Sequence, residues 1–360
     1  MKVLEYLKKH TLQDLTDEFA IKVKDYPELG IAVLNYNQID SPKYHPIVQE
    51  CRGLIINTVG LTLVSKTFKR FYNINENEND EFDFGGDFKV CEKADGSLMP
   101  VYHFNDSWHV GTRGSAFAEG TTASGLSFKE IFESAVGCDV NTLMTDMDRS
   151  FSYVFEMCSV HNKVVKLYKE PKVYLLAIQC LINDKEWDCL FVDNVAIHLG
   201  VHRPIRYEFD NIDDVHDSFR DFEPTEEGYV LVDKKRNRIK IKNPTYVDLH
   251  HMIGNGEITP KRIVDVVFRG ETEEILTYFP EYREFFEPWQ RAYDTIVRYI
   301  NIWDMQLKKQ DLSQKDFALD IKDLNFKGVL FSMRKGLTLK ESFDRIGSTG
   351  KVNLLEIWLD

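Results

Sequence analysis

The chain has 360 residues, of which 43% are hydrophobic and 12% aromatic, and its formal net charge at pH 7 is −13. This length allows two domains with substantial cores, and the share of aromatic residues argues against a disordered chain. The acidic balance argues against a broadly basic surface of the kind that holds long nucleic acid without preference for sequence.

Cysteine usage and hydropathy bear on the compartment. The six cysteines fall mainly in apolar, strand-like runs and show no C-x-x-C spacing, which predicts buried free thiols in a reducing cytoplasm. The sequence shows neither a secretion signal nor an apolar run near 18 residues, so we expect a cytoplasmic protein without a membrane span.

The N-terminal part is predicted to be mostly extended, because short apolar runs alternate with turn residues. A short helix is predicted over residues 3–7, and residues 73–86 are expected to form an acidic loop. The predicted strands are 31–36, 54–58, 61–68, 88–92, 101–104 and 108–111.

The segment Glu92-Lys93-Ala94-Asp95-Gly96 follows the strand at 88–92. A lysine amine becomes a nucleophile when burial or neighbouring cations lower its pKa. An Asp-Gly turn uses glycine's freedom at positive φ and lets backbone N–H groups approach a ligand closely. Because an exposed hairpin can carry K-x-D-G by chance, this motif needs support from the rest of the chain.

Two later segments place an acidic side chain within or directly before a predicted strand. Residues 151–157 predict a strand with Glu156 on the face opposite Phe155, where its carboxylate could accept hydrogen bonds from a ribose or face solvent. Glu227-Gly228 precede an apolar strand, an order that suits a metal-facing carboxylate beside a flat purine, or a plain turn. Helices are predicted at 128–136 and 188–199, and a strand at 172–179.

The segment 238–242 alternates cations with isoleucines, so Arg238, Lys240 and Lys242 share one face of a strand. Three cations on one face repel each other unless an anion such as a triphosphate lies among them. The alternative is an exposed strand at a sheet edge, where basic residues are common because they prevent aggregation. Six of the nine residues from Lys234 to Lys242 are Lys or Arg, in a chain that is otherwise acidic. That contrast favours phosphate binding.

The last 110 residues are predicted to be helical. Apolar side chains from Phe286 to Leu307 recur every three or four residues and predict a long helix that packs in a core, with Pro288 in its first turn or at its start. Shorter helices are predicted at 314–319, 328–334 and 339–346.

The order of these segments resembles the lysine-adenylating nucleotidyltransferases, and within them the phage RNA ligase 1 family. The likeness covers roughly residues 30–251. It lies in Glu50-Cys51-Arg52-Gly53, residues 71–76, the Lys93 motif, Asn162-Lys163-Val164-Val165, residues 227–230, residues 240–242 and residues 246–250. Ala94 and Arg70 depart from the family, which usually has a polar or acidic residue and a lysine there.

The resemblance implies an α+β fold. Residues 1–250 would form an antiparallel-sheet, ATP-grasp-like nucleotidyltransferase domain, and residues 251–360 an all-α domain for RNA or tRNA specificity. It also implies catalytic roles for Lys93 as nucleophile, Glu227 as metal contact, and Lys240 with Lys242 as phosphate contacts. The implied nucleotide contacts are Arg52, Arg70, Tyr72, Gly96, Arg113, Glu156, Val230, Lys240 and Lys242.

The implied activity is ATP-dependent joining of RNA 5′-phosphate and 3′-hydroxyl ends through lysyl-AMP. Mg²⁺ or Mn²⁺ would be the metal, and nicked tRNA would be among the substrates of a monomeric phage enzyme in the host cytoplasm. The alternatives are a DNA ligase, a GTP-using capping enzyme, or an RNA-end-binding protein that has lost its chemistry. DNA ligases and capping enzymes follow the Lys-x-Lys strand with a small β-barrel, and the helical pattern after residue 251 argues against both.

Overall fold

The computed structural model describes most of the chain. It leaves out residues 75, 77–80, 123, 163–165, 167, 224, 244–245, 248–258, 271, 274–275, 277–281, 311 and 360, together with the side chain of Asn162. Residues 163–165 and 248–250, two stretches that carry the family likeness, and the predicted domain boundary at 250 therefore lie outside the described residues. Two compact units emerge, residues 1–247 and 248–360.

The first unit begins with a four-stranded antiparallel sheet in the order β1-β2-β3-β4, packed under short helices. Thr11 and Asp14 form a capping box that starts the second helix, an element that the sequence analysis did not predict. Apolar residues of the helices and of one sheet face form the core. The elements are α1 (Lys2–Leu7), α2 (Leu12–Phe19), β1 (Ile21–Tyr26), β2 (Ile31–Tyr36), α3 (Pro46–Glu50), β3 (Arg52–Asn57) and β4 (Thr62–Ser65).

A second antiparallel sheet has the order β10-β9-β7-β8 and packs against helices on one face. The period-two prediction for residues 151–157 is confirmed: Phe151, Tyr153, Phe155 and Met157 enter the apolar core. Its elements are β7 (Ser97–Phe104), β8 (Ser107–Val110), α4 (Phe128–Val136), α5 (Val140–Leu143), β9 (Phe151–Cys158), β10 (Lys172–Cys180) and α6 (Cys189–Leu199).

The third sheet carries the lysines and has the order β11-β6-β12-β13-β5. Its pairs are antiparallel except β13 with β5, where Ile239 lies opposite Tyr72 in parallel register. Tyr229, Leu231, Ile239 and Ile241 point into the core, so the alternate positions of the same strands face the other way. The elements are β5 (Tyr72–Asn73), β6 (Phe88–Glu92), β11 (Arg206–Tyr207), α7 (Ile212–Asp217), β12 (Gly228–Asp233) and β13 (Arg238–Lys242).

In the second unit every regular element that the structure describes is a helix, as predicted. The apolar stripe of the long helix is confirmed as core, since Phe286, Trp289, Ile296 and Ile300 are all buried. Its helices are α8 (Pro260–Arg269), α9 (Arg283–Lys308), α10 (Gln314–Asp320), α11 (Lys327–Arg334), α12 (Leu339–Asp344) and α13 (Ser348–Glu356).

The position predicted for Pro288 is wrong. The helix α9 already starts at Arg283, so Pro288 lies in its second turn rather than its first. Proline lacks the N–H that would bond to the carbonyl four residues earlier, but packing of the apolar stripe outweighs that single lost bond. No helix in the described ranges is both long enough and apolar enough to cross a membrane.

Candidate active site

Lys93 follows β6 directly, and the neighbouring strand holds its backbone in place. The backbone N–H of Lys93 donates to the carbonyl of Gly228 at 2.9 Å. The amide of Asn243 in turn donates to the carbonyl of Glu227 at 3.0 Å. Three strand ends therefore converge at one place, where β6 ends, β12 begins and β13 ends.

The carboxylate of Glu227 lies between two lysines. Its Oε2 is 2.6 Å from Lys93 Nζ, and its Oε1 is 2.9 Å from Lys242 Nζ. Burial alone would raise the pKa of Glu227, but the two ammonium groups outweigh it and hold that pKa below its usual range. The Lys93 side chain is only 20% exposed, so its amine is paired within the fold rather than directed into bulk water.

The expectation that the pKa of Lys93 is lowered is wrong for this arrangement. Burial does lower it, but the carboxylates of Glu227 and Glu156 act in the opposite sense and leave the pKa above its ordinary value. Beside Lys93, burial and the charges of Lys242 and Lys93 lower the pKa of Lys240 to about 8. Sequence alone could not distinguish these lysines, because the carboxylates that surround Lys93 come from distant strands.

Glu156 faces this group of charges from β9. Burial raises the pKa of its carboxyl to about 7, although Lys93 and Arg52 both act to lower it. The predicted face of Glu156 is thus the face that looks toward Lys93. Its role as a ribose contact stays a prediction.

Two glycines in the motifs permit close backbone contacts. A Cβ on Gly96 would lie 2.3 Å from the carbonyl oxygen of Met157, and one on Gly228 would lie 2.2 Å from that of Ile241. Gly228 also has φ +127°, whereas Gly96 is not among the glycines with positive φ. The positive-φ reason given for Gly96 is therefore wrong, because this glycine is required by the strand beside it.

Asp95 has a larger part in the structure than its place in a turn suggested. This buried carboxylate accepts hydrogen bonds from the amide of Lys166 at 2.9 Å and from the Tyr246 hydroxyl at 2.9 Å. It ties the turn that follows Lys93 to two segments that lie 71 and 151 residues later in the chain. Ala94 beside it is buried against Cys158 and Tyr168, which explains a small apolar side chain at this position.

A cluster of three arginines lies around Tyr36 at the end of β2. The guanidinium carbons of Arg70 and Arg113 are 4.1 and 5.0 Å from the centroid of the Tyr36 ring. Burial lowers the pKa of Arg52 to about 10, and the charge of Arg113 acts in the same sense. Each of the three has a buried nitrogen without a hydrogen-bond partner among the described atoms, namely Arg52 Nη1, Arg70 Nη1 and Arg113 Nε.

Tyr72 and Val230 complete the set of predicted positions. Tyr72 is buried, its hydroxyl donates to the carbonyl of Lys43, and its ring is 5.6 Å from the guanidinium carbon of Arg70. Val230 pairs with Lys240 across β12 and β13 and is half-buried on the face that the lysines share. An aliphatic side chain at this place offers an apolar surface beside the charges.

Arg238 shares a face with the two lysines, as predicted, but it has a partner of its own. Its guanidinium holds the carboxylate of Glu186 through two hydrogen bonds, one of them 2.9 Å from Nη1 to Oε2. The guanidinium carbon also lies 4.6 Å from the ring centroid of Phe68. The expectation that three cations await a triphosphate is therefore wrong for Arg238, because Glu186 already neutralises it.

The side chains that could act as metal ligands bear on the prediction that Glu227 contacts a metal ion. The described residues contain no group of three or more His, Cys, Asp or Glu side chains that could hold a metal by themselves. Mg²⁺ at phosphate-transfer sites commonly uses one or two carboxylates together with substrate phosphates and water. Glu227, with Glu156 nearby, fits that second kind of site.

The sequence is similar to those of known RNA ligases. The sequence profile of a family described as RNA ligase, of the T4 type 1, matches residues 50–246. A bifunctional polynucleotide kinase/RNA ligase of Autographa californica nuclear polyhedrosis virus is 30% identical, over 96% of this chain and 51% of its own length. An RNA ligase of Rhodothermus phage RM378 is 23% identical, over 92% of this chain and 93% of its own. The chain thus spans about half the length of the first of these relatives.

Solved structures with similar chains are also RNA ligases. An archaeal ATP-dependent RNA ligase is 12% identical with a TM-score of 0.48, over 79% of this chain and 74% of its own. A Naegleria gruberi RNA ligase variant with ATP and Mn is 16% identical with a TM-score of 0.37, over 46% of this chain and 51% of its own.

Proposed function

The chain belongs to the RNA ligase 1 family of RNA ligases, and from that premise we propose that it joins RNA ends with ATP through an AMP carried on Lys93. The observation that supports this most directly is the contact of Glu227 with both Lys93 and Lys242, at 2.6 and 2.9 Å. A buried amine beside a carboxylate that a metal ion can draw away, with further cations to hold phosphates, suits a site for attack on a polyphosphate.

In the first step the neutral amine of Lys93 attacks the α-phosphorus of ATP. A P–N bond forms, the bond to the β-phosphate oxygen breaks, and pyrophosphate leaves while the amine loses a proton. Lys240 and Lys242 lie where they can hold the negative charge of the phosphates as it moves toward the leaving group.

In the second step a 5′-phosphate oxygen of RNA attacks the phosphorus of the lysyl-AMP. The P–N bond breaks, the Lys93 amine regains a proton, and AMP is joined to the RNA end. In the third step a 3′-hydroxyl attacks the 5′-phosphorus, gives up its proton and displaces AMP. Because a free 5′-phosphate is a poor electrophile, the AMP supplies the leaving group that sealing needs.

Mg²⁺ would be held by Glu227 with phosphate oxygens and water, and it would supply positive charge to the polyphosphate. The Glu227 carboxylate keeps Lys93 protonated as the side chains now lie. Any cation that draws this carboxylate away from Lys93 favours the neutral, nucleophilic amine.

A joining assay tests the function. Purified protein with ATP and Mg²⁺ is given a single-stranded RNA that has a 5′-phosphate and a 3′-hydroxyl, and the products are separated on a denaturing gel. We expect circular or joined RNA whose phosphate resists phosphatase, and none with Lys93→Arg. Joining with GTP in place of ATP, or of DNA but not RNA, would contradict the proposal, and so would binding of RNA ends without joining.

A further inference from the structure

Arg238 and Glu186 form a nearly buried ion pair at the start of β13. The two side chains are 10% and 11% exposed. Both terminal nitrogens of the guanidinium donate to the carboxylate, and the Nη1–Oε2 distance is 2.9 Å. The Oε2 atom also accepts from the side-chain amide of Gln179 at 2.8 Å. This two-pronged contact fixes the angle between the two groups as well as the distance.

The pair joins two sheets of the first unit. Arg238 lies on the third sheet, two residues before Lys240 and on the same face of β13. Gln179 lies on β10 of the second sheet, and its backbone forms a bridge with that of Glu186. The pair therefore connects the sheet that carries Lys240 to the sheet that carries Glu156.

The ring of Phe68 lies between the same two sheets. It packs with Val154 in one apolar cluster, and Val154 shares a face of β9 with Glu156. The ring is also 4.6 Å from the guanidinium carbon of Arg238, within the roughly 6 Å over which an aromatic ring attracts a cation. Phe68 thus contacts the side chains of both facing sheets, and the pair lies beside it.

A buried ion pair is a poor means of stabilising a fold. Removing two charges from water costs about as much as their attraction returns, so apolar side chains of similar size often stabilise a core equally well. Apolar contacts are not directional, whereas a two-pronged contact between guanidinium and carboxylate sets one orientation. The pair is therefore better suited to fixing a position than to adding stability.

We propose that Arg238 and Glu186 are positioning residues that fix β13 against the second sheet, so that Lys240 meets the polyphosphate of ATP. This inference rests on the proposed function, in which Lys240 holds phosphate oxygens. Neither member of the pair contacts the nucleotide. The pair acts through the strand, because a shift at the start of β13 would displace the amine of Lys240 two residues later.

Titration calorimetry of the full chain with two probes tests the proposal. The first probe, α,β-methylene-ATP, has the polyphosphate but cannot lose pyrophosphate, so binding is measured without transfer of AMP. The second probe, adenosine, has only the base and the ribose. The variant Glu186→Gln keeps the size of the side chain and removes its charge.

The matched control is Asp87→Asn. Asp87 pairs with Lys234, in the turn before β13, at 2.6 Å. The two side chains of this pair are 86% and 74% exposed, and such exposed pairs contribute little. The control therefore removes a carboxylate from the same hairpin without disturbing a buried contact.

We expect Glu186→Gln to weaken binding of α,β-methylene-ATP by about tenfold, since a displaced Lys240 loses a charge-assisted contact with phosphate. Its affinity for adenosine, and both affinities of Asp87→Asn, should equal those of the wild type. A double variant, Glu186→Leu with Arg238→Met, removes both buried charges. Its melting temperature should equal or exceed that of the wild type, while its affinity for α,β-methylene-ATP stays about tenfold low. If Glu186→Gln does not fold, the double variant decides.

The proposal is overturned if wild-type protein binds neither probe, if Glu186→Gln binds α,β-methylene-ATP normally, or if it loses adenosine to the same extent. It is also overturned if the double variant recovers full affinity, because the pair would then serve stability alone. Tighter binding by Glu186→Gln would mean that a freed Arg238 contacts phosphate itself, which contradicts a positioning role. Formation of lysyl-AMP is measured separately by mass, so failure of the proposed function would appear there and not in these titrations.

Discussion

At the residue scale, the proposed chemistry depends most on Glu227. Each of its carboxylate oxygens holds one lysine, and its charge is a main reason why the pKa of Lys93 lies above the ordinary value. A protonated amine has no lone pair for attack on phosphorus. In the proposed mechanism, activation of Lys93 therefore requires its separation from Glu227, and neighbouring cations alone are not enough.

Replacing Glu227 with Gln should make the Lys93 amine more reactive toward a simple reagent while it impairs adenylylation. Without the carboxylate the pKa of Lys93 falls, and each unit of that fall raises the neutral fraction about tenfold at neutral pH. The measurement is the rate at which an amine-acylating reagent modifies Lys93, read by peptide mass. Glu226→Gln, at the preceding position, is the matched control and should leave that rate unchanged. An unaltered rate in Glu227→Gln would contradict the role given to this carboxylate.

Lys240 gives a second prediction, on the dependence of ATP binding on pH. Burial, Lys242 and Lys93 lower its pKa to about 8, so the free protein loses this positive charge as the pH rises above about 8. Bound phosphate favours the charged form, so the dissociation constant for ATP should rise with pH from that point.

The Lys240→Arg variant keeps its positive charge over this pH range and serves as the control. Its dissociation constant for ATP should therefore stay constant between pH 7.5 and 9. Titration calorimetry in matched buffers measures both proteins. The same pH dependence in both would show that another group titrates.

At the scale of elements, the site depends on how closely strands approach one another. The ends of β6, β12 and β13 are held together by backbone hydrogen bonds, and Gly96 and Gly228 lie where a Cβ would collide with a neighbouring carbonyl. Because backbone atoms cannot move aside as a flexible side chain can, these glycines are required by the packing of the sheets.

Gly96→Ala should therefore lower both stability and adenylylation. The added carbon would lie 2.3 Å from the carbonyl oxygen of Met157, so β7 and β9 would have to separate. We expect a loss of stability of about 2 kcal/mol or more, in the range of overpacked cores. Gly60→Ala is the control, since its nearest neighbour is a side-chain oxygen at 3.5 Å and its φ is not positive. Denaturant unfolding of both variants measures the difference, and equal stabilities would contradict the packing argument.

The sequence predicted the elements better than it predicted the contacts among them. The strands that carry Glu156 and Lys240 could be predicted because period-two alternation marks the buried face without knowledge of any partner. The pairing of Arg238 with Glu186, and of Asp95 with Tyr246, depends on residues 52 and 151 positions away. Local pattern carries no information about such partners, which is why the pKa of Lys93 was predicted with the wrong sign.

At the scale of the whole molecule, the two parts of the chain differ in their net charge. Residues 1–250 hold 29 Lys and Arg against 40 Asp and Glu, whereas residues 251–360 hold 16 against 18. The acidic part nevertheless contains the arginine cluster and the lysines of β13. Basic groups concentrated at one place in an acidic unit suit engagement of RNA ends rather than coating of long RNA.

The two units lead to a prediction about the second one. We propose that residues 248–360 serve RNA recognition and take no part in the attack on ATP. A fragment of residues 1–247 should then still accept AMP from ATP, because the predicted catalytic residues all lie within it. Joining of a nicked tRNA should fall more than joining of a short single-stranded RNA. Parallel gel assays of the fragment and the full chain measure both, and an equal loss on the two RNAs would contradict the assignment.

The central claim is that Lys93 becomes covalently loaded with AMP, and intact-protein mass spectrometry after incubation with ATP and Mg²⁺ tests it most directly. We predict a mass increase equal to one AMP, located on the peptide that contains Lys93, reversed by pyrophosphate and absent from Lys93→Arg. An adduct on another residue, or one that persists in Lys93→Arg, would contradict the account.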